Sequence, residues 1–103
     1  MLGIKKHILD MILSEISDHK EICDAIIFGS RAKGNYKKGS DIDIALKGKN
    51  ISFELVAGLK TKFNQEMPIP HHVDLVHYES ISNQDLTDHI DRVGISIVNS
   101  SAG

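Results

Sequence analysis

The chain has 103 residues, of which 41% are hydrophobic and 25% are charged, and its formal net charge is −2 at pH 7. This size and composition predict one soluble globular domain over residues 1–103. The small negative charge excludes a whole-protein attraction to nucleic acid or acidic membranes, although it leaves room for a local basic patch. No apolar stretch has the length of a signal peptide or membrane span. We therefore expect a cytoplasmic protein with no membrane partner.

The single cysteine agrees with that location. Cys23 has no second cysteine with which to form an internal disulfide, which suits a reducing compartment. It precedes an apolar run, and this position predicts a buried structural thiol.

One helix and two strands are predicted in the first half of the chain. Apolar residues recur at helical spacing over residues 4–19, which indicates an amphipathic helix. Residues 24–29, "DAIIFG", form a short apolar run that ends in glycine, as expected for an interior strand. Residues 40–46, "SDIDIAL", alternate, so the isoleucines and the leucine face one way and the two aspartates face the other.

The second half predicts two further helices around a third strand. Residues 53–63 suit a helix with Asn50 or Ser52 as its N-cap, and "MPIP" ends it. Residues 71–78, "HHVDLVHY", read as a strand with His72 and Asp74 on the same face.

The last helix is expected to begin near Ser82, which forms a capping-box pattern with Asp85, and to stop at Gly94. Residues 95–98 add a short strand, and residues 99–103 are expected to fray. Helices and strands thus alternate around a small sheet, which predicts an α/β or α+β fold. Periodicity alone does not fix the strand order.

Two aspartates stand one residue apart in the second predicted strand. Asp41 and Asp43 share a face, with β-carbons about 6 to 7 Å apart by the rise of a strand. Carboxylates so placed raise each other's proton affinity unless a cation or hydrogen-bond donors compensate. A hard divalent cation such as Mg²⁺ is the simplest compensation, because it prefers oxygen ligands and leaves coordination positions for phosphate. The alternative is a solvated strand face, which is the commoner meaning of an isolated D-x-D.

The residues before this strand indicate an anion site. Gly29 ends the first predicted strand, where a glycine lets the backbone approach a ligand and N–H groups attract anions. The Ser30 hydroxyl can donate a hydrogen bond to a phosphate oxygen. Four basic residues follow in the same segment: Arg31, Lys33, Lys37 and Lys38. Taken separately, a Gly-Ser turn most often only connects two elements, and such lysines most often form a solvated loop.

Together these parts have a specific order. The segment "GSRAKGNYKKGSDIDIAL", residues 29–46, resembles the signature of the DNA polymerase β-like nucleotidyltransferase superfamily, in the form found in minimal nucleotidyltransferases. The family pattern has a third carboxylate on a later strand, and "VDLV" places Asp74 in a similar context. The ending "HIDRVGISIV" also resembles that of minimal members. The resemblance covers most of the chain and implies a small mixed β-sheet with helices packed on it.

The resemblance also implies a two-metal nucleotide transfer. Asp41, Asp43 and Asp74 would be catalytic residues and ligands of two Mg²⁺ ions, which stabilise the attacking and leaving oxygens. Asp74 would also assist deprotonation of the acceptor hydroxyl. The nucleotide triphosphate would contact a further set of residues: Gly29, Ser30, Arg31, Lys33 and Ser40. A nucleoside monophosphate, expected to be AMP from ATP, would be joined to the acceptor, and pyrophosphate would leave.

Histidines near Asp74 raise zinc as an alternative metal. His71, His72 and His77 cluster around that aspartate in sequence. No second histidine or cysteine group follows at a recognisable zinc spacing, so solvent-facing or substrate-side histidines are the preferred interpretation.

The resemblance finally implies a separate partner. Larger nucleotidyltransferases carry an additional domain for the acceptor, whereas minimal members are often paired with a small helical-bundle protein. That partner is a substrate-binding subunit or a HEPN-type toxin, which the nucleotidyltransferase can adenylylate. The alternative function is an antitoxin or assembly subunit that occludes its partner without catalysis. Nucleic acid is expected only as an acceptor, because the chain lacks an extended basic or aromatic surface.

Overall fold

Helices and strands alternate along the chain, as the sequence predicts. A computed structural model describes residues 2–98. The elements in chain order are α1 (Lys6–Ser17), β1 (Asp24–Phe28), α2 (Gly29–Lys33), β2 (Ile42–Lys47), α3 (Phe53–Thr61), β3 (Val73–His77), α4 (Gln84–Val93) and β4 (Ile95–Ser96). A π-helical turn, Lys62–Glu66, extends α3, and a short 3₁₀ turn, Tyr78–Ser80, follows β3. No helix within residues 2–98 is long and apolar enough to cross a membrane.

The described strands form one mixed sheet in the order β3-β2-β1-β4. β1 pairs antiparallel with both β2 and β4, and β2 pairs parallel with β3. The parallel pair is joined by α3, because parallel neighbours need a crossover connection. The α/β class and the mixed sheet are therefore confirmed.

Alternation along the strands gives the sheet a separate core on each face. On one face, Ile27, Ile44 and Leu75 pack with apolar residues of α1 and of the α3 region in a large cluster. On the other face, a smaller cluster joins Phe28 and Ala45 to α4. Truncating one fully buried isoleucine of the large cluster to alanine removes its packing and leaves a cavity, which costs roughly 2–5 kcal/mol. The large cluster therefore holds β2 in place from the face opposite its aspartates.

The ends of the elements differ from the sequence prediction by a few residues. Ser52 is the N-cap of α3 and accepts from the backbone N–H of Leu55, whereas Asn50 is not used. The last helix begins at Gln84 rather than near Ser82, because the side chain of Asn83 caps it. Both residue types are strong N-caps, so local sequence does not decide between neighbours.

Two terminal features also differ from expectation. The last strand spans only Ile95–Ser96, and residues 99–103, expected to fray, lie outside the described part of the chain. Cys23 is exposed rather than buried, because it precedes β1 and the interior run begins only at Ala25. The prediction of a buried structural thiol is therefore wrong.

Candidate active site

Three segments meet at one end of the sheet. The carboxyl end of β1 lies beside the start of β2, with Phe28 opposite Asp43. Because β2 and β3 are parallel, their starts lie at the same end, with Asp43 opposite Asp74 in the register. Two of the three predicted carboxylates therefore occupy adjacent positions on neighbouring strands. Asp41 precedes the first residue of β2 and is exposed.

Asp43 is the most perturbed carboxyl group of this cluster. Its side chain is half-buried at the edge of the smaller core. Burial raises the pKa of Asp43, and the nearby carboxylates of Asp74 and Asp41 raise it further, while His72 and His89 oppose the shift. The three acids thus interact electrostatically at one site, and negative charge accumulates where the sequence predicts a cation.

Gly29 brings the backbone directly against Asp43. Its φ of +74° lies in the left-handed region that only glycine adopts without strain. A β-carbon at this position would collide with Oδ2 of Asp43. The turn between β1 and α2 therefore requires glycine for both its conformation and its proximity to the carboxylate.

A histidine that the sequence analysis did not select completes this contact. The backbone N–H of Gly29 donates to Nε2 of His89 on α4, at 3.1 Å. The imidazole also meets the ring of Phe28 edge-on, with 6.1 Å between ring centroids. His89 lies three residues after Leu86 and four before Val93, near the apolar stripe of α4. This spacing is the sequence signal that could have predicted that His89 faces the sheet. His89 thereby links α4 to the Gly29 turn.

Asp74 has a cationic neighbour from α3. Nζ of Lys60 lies 3.2 Å from Oδ1 of Asp74, and both side chains are about half exposed. One turn further, the Asn64 amide donates to the carbonyl oxygens of Lys60 and Val73 and accepts from the N–H of Val73, all within 2.9 Å. Asn64 thus fixes the start of β3 and, through it, the position of Asp74. Sequence patterns offered no sign of this role, because the bonds join residues on separate elements.

Arg31 has a structural role that the sequence does not indicate. Its side chain is 2% exposed, and its guanidinium donates to the carbonyl oxygens of Leu2, Ser40 and Asp41 at 2.7–3.3 Å. Because those donors are engaged with the backbone, Arg31 braces the loop before β2 instead of presenting its charge at the surface. Its contact with the triphosphate stays a prediction. Lys33, by contrast, is exposed at the end of α2.

The two predicted serine contacts differ in their surroundings. Ser30 is half-buried in α2, directly after Gly29. The Ser40 hydroxyl accepts from the backbone N–H of Lys37 at 2.8 Å and so closes the preceding turn. The structure thus gives Ser40 a local structural bond, and its contact with a nucleotide stays a prediction.

The carboxylates have the oxygen donors that a hard cation prefers, but their side chains do not converge on one point. Within residues 2–98, no three acidic, histidine or cysteine side chains converge as a metal site requires. Asp43 and Asp74 are nevertheless register partners, and the pKa of Asp43 is raised first by burial and then by the repulsion of Asp74 and Asp41, which a cation would relieve. Their oxygen donors are of the type that Mg²⁺ prefers, and Asp41 lies exposed two residues before Asp43.

Comparisons with known proteins agree with this geometry. The sequence profile of the family "Polymerase beta, Nucleotidyltransferase" matches residues 10–102. Comparison with curated proteins gives no significant match. A toxin–antitoxin crystallised with AMP-PNP is similar in fold, with a TM-score of 0.69 and 21% identity over 90% of this chain and 72% of that one.

Two further solved structures have the same architecture. A mutant of the toxin–antitoxin MntA-HpeT gives a TM-score of 0.66 at 18% identity, over 90% of this chain and 71% of that one. A protein from Sulfolobus solfataricus assigned to the nucleotidyltransferases gives 0.56 at 21% identity, over 87% and 76%. At these identities the structural likeness establishes the fold.

The mixed sheet, the Gly29 turn and the adjacent carboxylates define a domain of the polymerase β-like nucleotidyltransferase class. Since the family profile spans most of the sequence, the chain belongs to the polymerase β nucleotidyltransferase family. The predicted membership of the polymerase β-like nucleotidyltransferases is thereby confirmed, and the domain is that of a transferase.

Proposed function

We propose that this protein is a Mg²⁺-dependent nucleotidyltransferase that transfers AMP from ATP to a hydroxyl group of a separate acceptor. The observation that carries the proposal is the pairing of Asp43 with Asp74 across two parallel strands, beside the Gly29 turn. Acidic oxygens of the kind that bind divalent cations thus adjoin a strand-to-helix turn, the kind of turn at which backbone N–H groups bind anions. Both are requirements for holding a metal-bound triphosphate.

Asp41, Asp43 and Asp74 would hold the metal ions. The resemblance to the family implies two such ions. When bound, divalent cations supply charge stabilisation for the attacking and leaving oxygens of the displacement. The chain itself supplies positioning: the buried Ile42 and Ile44 fix β2 from the opposite face. This fixation matters because transfer of this kind depends mainly on placement of the reacting groups and on electrostatic stabilisation.

The remaining steps involve the nucleotide and the acceptor. Gly29 and Ser30 would contact the triphosphate, and Lys33, exposed at the end of α2, would add positive charge as pyrophosphate leaves. Asp74 would accept the proton of the attacking hydroxyl. Its position on an edge strand, with 42% of its side chain exposed, supports this role.

We also propose that the acceptor is held by a separate helical protein, either a substrate-binding subunit or a HEPN-type toxin. The support is the fold shared with components of toxin–antitoxin complexes, one of them crystallised with AMP-PNP. A cytoplasmic location follows from the sequence expectation.

Transfer of labelled AMP tests the proposal. The purified protein is incubated with Mg²⁺, ATP labelled in its α-phosphate and the product of the neighbouring gene, and the label on that product is measured. We expect labelling that disappears with EDTA and with Asp43→Ala. Asp10→Ala is the matched control, because it removes an aspartate whose only described ion pair, with Lys6, is a surface one.

The same variants separate catalysis from occlusion. If Asp43→Ala binds and silences the partner as fully as the native chain does, the protein acts by occlusion and the transferase proposal fails. Labelling that survives Asp43→Ala would also refute the role of the carboxylates.

A further inference from the structure

A concave site lies beside the loop that joins α2 to β2. It encloses about 590 Å³, a volume suited to a small organic ligand. Its walls come from three segments: the chain before and into α1, the α2–β2 loop, and the loop that leads into β3. We refer to it as the basic cavity.

The basic cavity has an unusual distribution of charge. Four described lining residues are lysine or arginine and none is acidic: Lys5, Arg31, Lys37 and Lys38, with His7 and His71 beside them. The whole chain, by contrast, has 14 acidic residues against 12 lysines and arginines. Cations from separate segments have therefore been gathered at one place in a protein of negative net charge, which produces a local positive potential.

One of these positive charges, the guanidinium of Arg31, is buried. Its guanidinium is almost fully enclosed, and its described hydrogen bonds go to backbone carbonyls and to Nδ1 of His71, at 3.2 Å. Among residues 2–98 it forms no ion pair with a carboxylate within 4.0 Å. A buried charge is costly unless an opposite charge compensates it. An anion in the cavity would provide that compensation.

The adjoining wall is flat and apolar. The Tyr36 ring stacks on the Arg31 guanidinium, 5.3 Å from its centroid, and remains 38% exposed. Pro68 and Pro70 also line the cavity. A planar ring can pack on such a surface while an attached anionic group reaches the lysines. The ligand chemistry indicated is therefore an anion joined to a ring.

The basic cavity is separate from the three carboxylates. None of Asp41, Asp43 and Asp74 lines it. One lining residue, Ile8, belongs to the large core on one face of the sheet. Asp43 lies on the other face, together with Ala45, because side chains alternate along β2. The basic cavity therefore lies outside the cluster that the three carboxylates form.

We propose that the basic cavity binds a small phosphorylated ligand with a planar ring, of the nucleoside monophosphate class, as a second site outside the catalytic centre. Lys37 and Lys38 bind the phosphate, and Tyr36 packs against the ring. A nucleic acid strand fits less well, because the cations surround one enclosed volume instead of following an extended path. The site extends the proposed function, but its binding does not depend on transferase activity.

The test is AMP binding without metal. AMP is titrated into the full chain in EDTA, with calorimetry for affinity and backbone NMR shifts for location. We expect shifts at Tyr36, Lys38 and His71 that persist in Asp43→Ala. Removing both cations in Lys37→Ala/Lys38→Ala weakens AMP binding by at least about tenfold, since the loss of even one charge-assisted hydrogen bond costs about tenfold.

Control variants make the result specific. Lys20→Ala/Lys49→Ala removes the same charge from two exposed lysines elsewhere and leaves AMP affinity within about twofold, because surface charges act weakly at a distance. Tyr36→Leu weakens AMP binding but not that of inorganic pyrophosphate, which has no ring.

Three outcomes would overturn the proposal. The first is an absence of shifts at millimolar AMP, and the second is shifts confined to Gly29 and Ser30, which would place AMP at the catalytic centre. The third is a single-stranded oligonucleotide that binds more than about tenfold tighter than AMP through the same lysines, which would assign the surface to nucleic acid. Failure of the transfer assay leaves all three measurements unaffected, so the two proposals fail independently.

Discussion

Replacing Gly29 with alanine tests the closest contact of the candidate site. At φ +74° a non-glycine residue bears a strain of about 1–2 kcal/mol. The new methyl group would also collide with Oδ2 of Asp43, so that the carboxylate must leave its rotamer at roughly 1 kcal/mol more. We therefore expect Gly29→Ala to lower the free energy of unfolding by about 2–3 kcal/mol.

Gly34 provides a matched control. Its φ of +87° is also left-handed, but an added β-carbon there meets no atom within 4 Å. Gly34→Ala therefore introduces the backbone strain without the collision. Both variants lower the entropy of the unfolded chain by the same amount. The difference between the two losses, about 1 kcal/mol, isolates the contact with Asp43.

Urea denaturation in EDTA, followed by circular dichroism, measures these losses. The same pair is then compared in an Asp43→Ala background, where the collision partner is absent and we expect the excess loss at Gly29 to vanish. Equal losses for Gly29→Ala and Gly34→Ala in the native background would refute the packing of the turn against the carboxylate.

Three other substitutions test supporting residues. Arg31→Met leaves the carbonyls of Ser40 and Asp41 without their hydrogen-bond donor and should lower the free energy of unfolding by roughly 2–4 kcal/mol. Arg31→Lys should recover only part of this loss. A loss below about 0.5 kcal/mol in Arg31→Met would contradict the bracing role. Asn64→Ala should cost about 2–3 kcal/mol in the same urea assay, and hydrogen exchange at the start of β3 should accelerate. Burial and the Arg31 charge lower the pKa of His71, so the folded chain disfavours its protonated form. Stability should therefore fall as pH drops below 6.5, the ordinary value, and the fall should be smaller in His71→Gln; parallel pH profiles would contradict this assignment.

Local periodicity was sufficient to predict the strands and their two faces. The alternation in β2 predicted its isoleucines in the large core, as the structure shows, and Asp43 on the opposite face, which it shares with Ala45. The second aspartate, Asp43, is set by β2 itself, so its position could be predicted. Asp41 lies just before β2 and is exposed, because the paired strand begins at Ile42, two residues after the start of the alternating segment 40–46.

Contacts between distant residues could not be predicted in this way. His89 meets Gly29 across 60 positions of sequence, and only the packing of α4 brings them together. Arg31 illustrates a different limit, since an arginine in a basic loop reads as a surface charge. Its burial depends on carbonyl acceptors from Leu2 and Ser40, which no local pattern indicates. Strand order is likewise a property of long-range pairing.

The separation of apolar and acidic residues onto opposite faces of β2 has a consequence for the evolution of such a domain. The residues that maintain its shape and those proposed to perform its chemistry alternate along one strand yet contact different surroundings. A single substitution at Asp43 would abolish the reaction while every apolar anchor stays in place. An enzyme built this way can become a binding protein of unchanged outline in one mutational step, and any partner that recognises its surface would still find it.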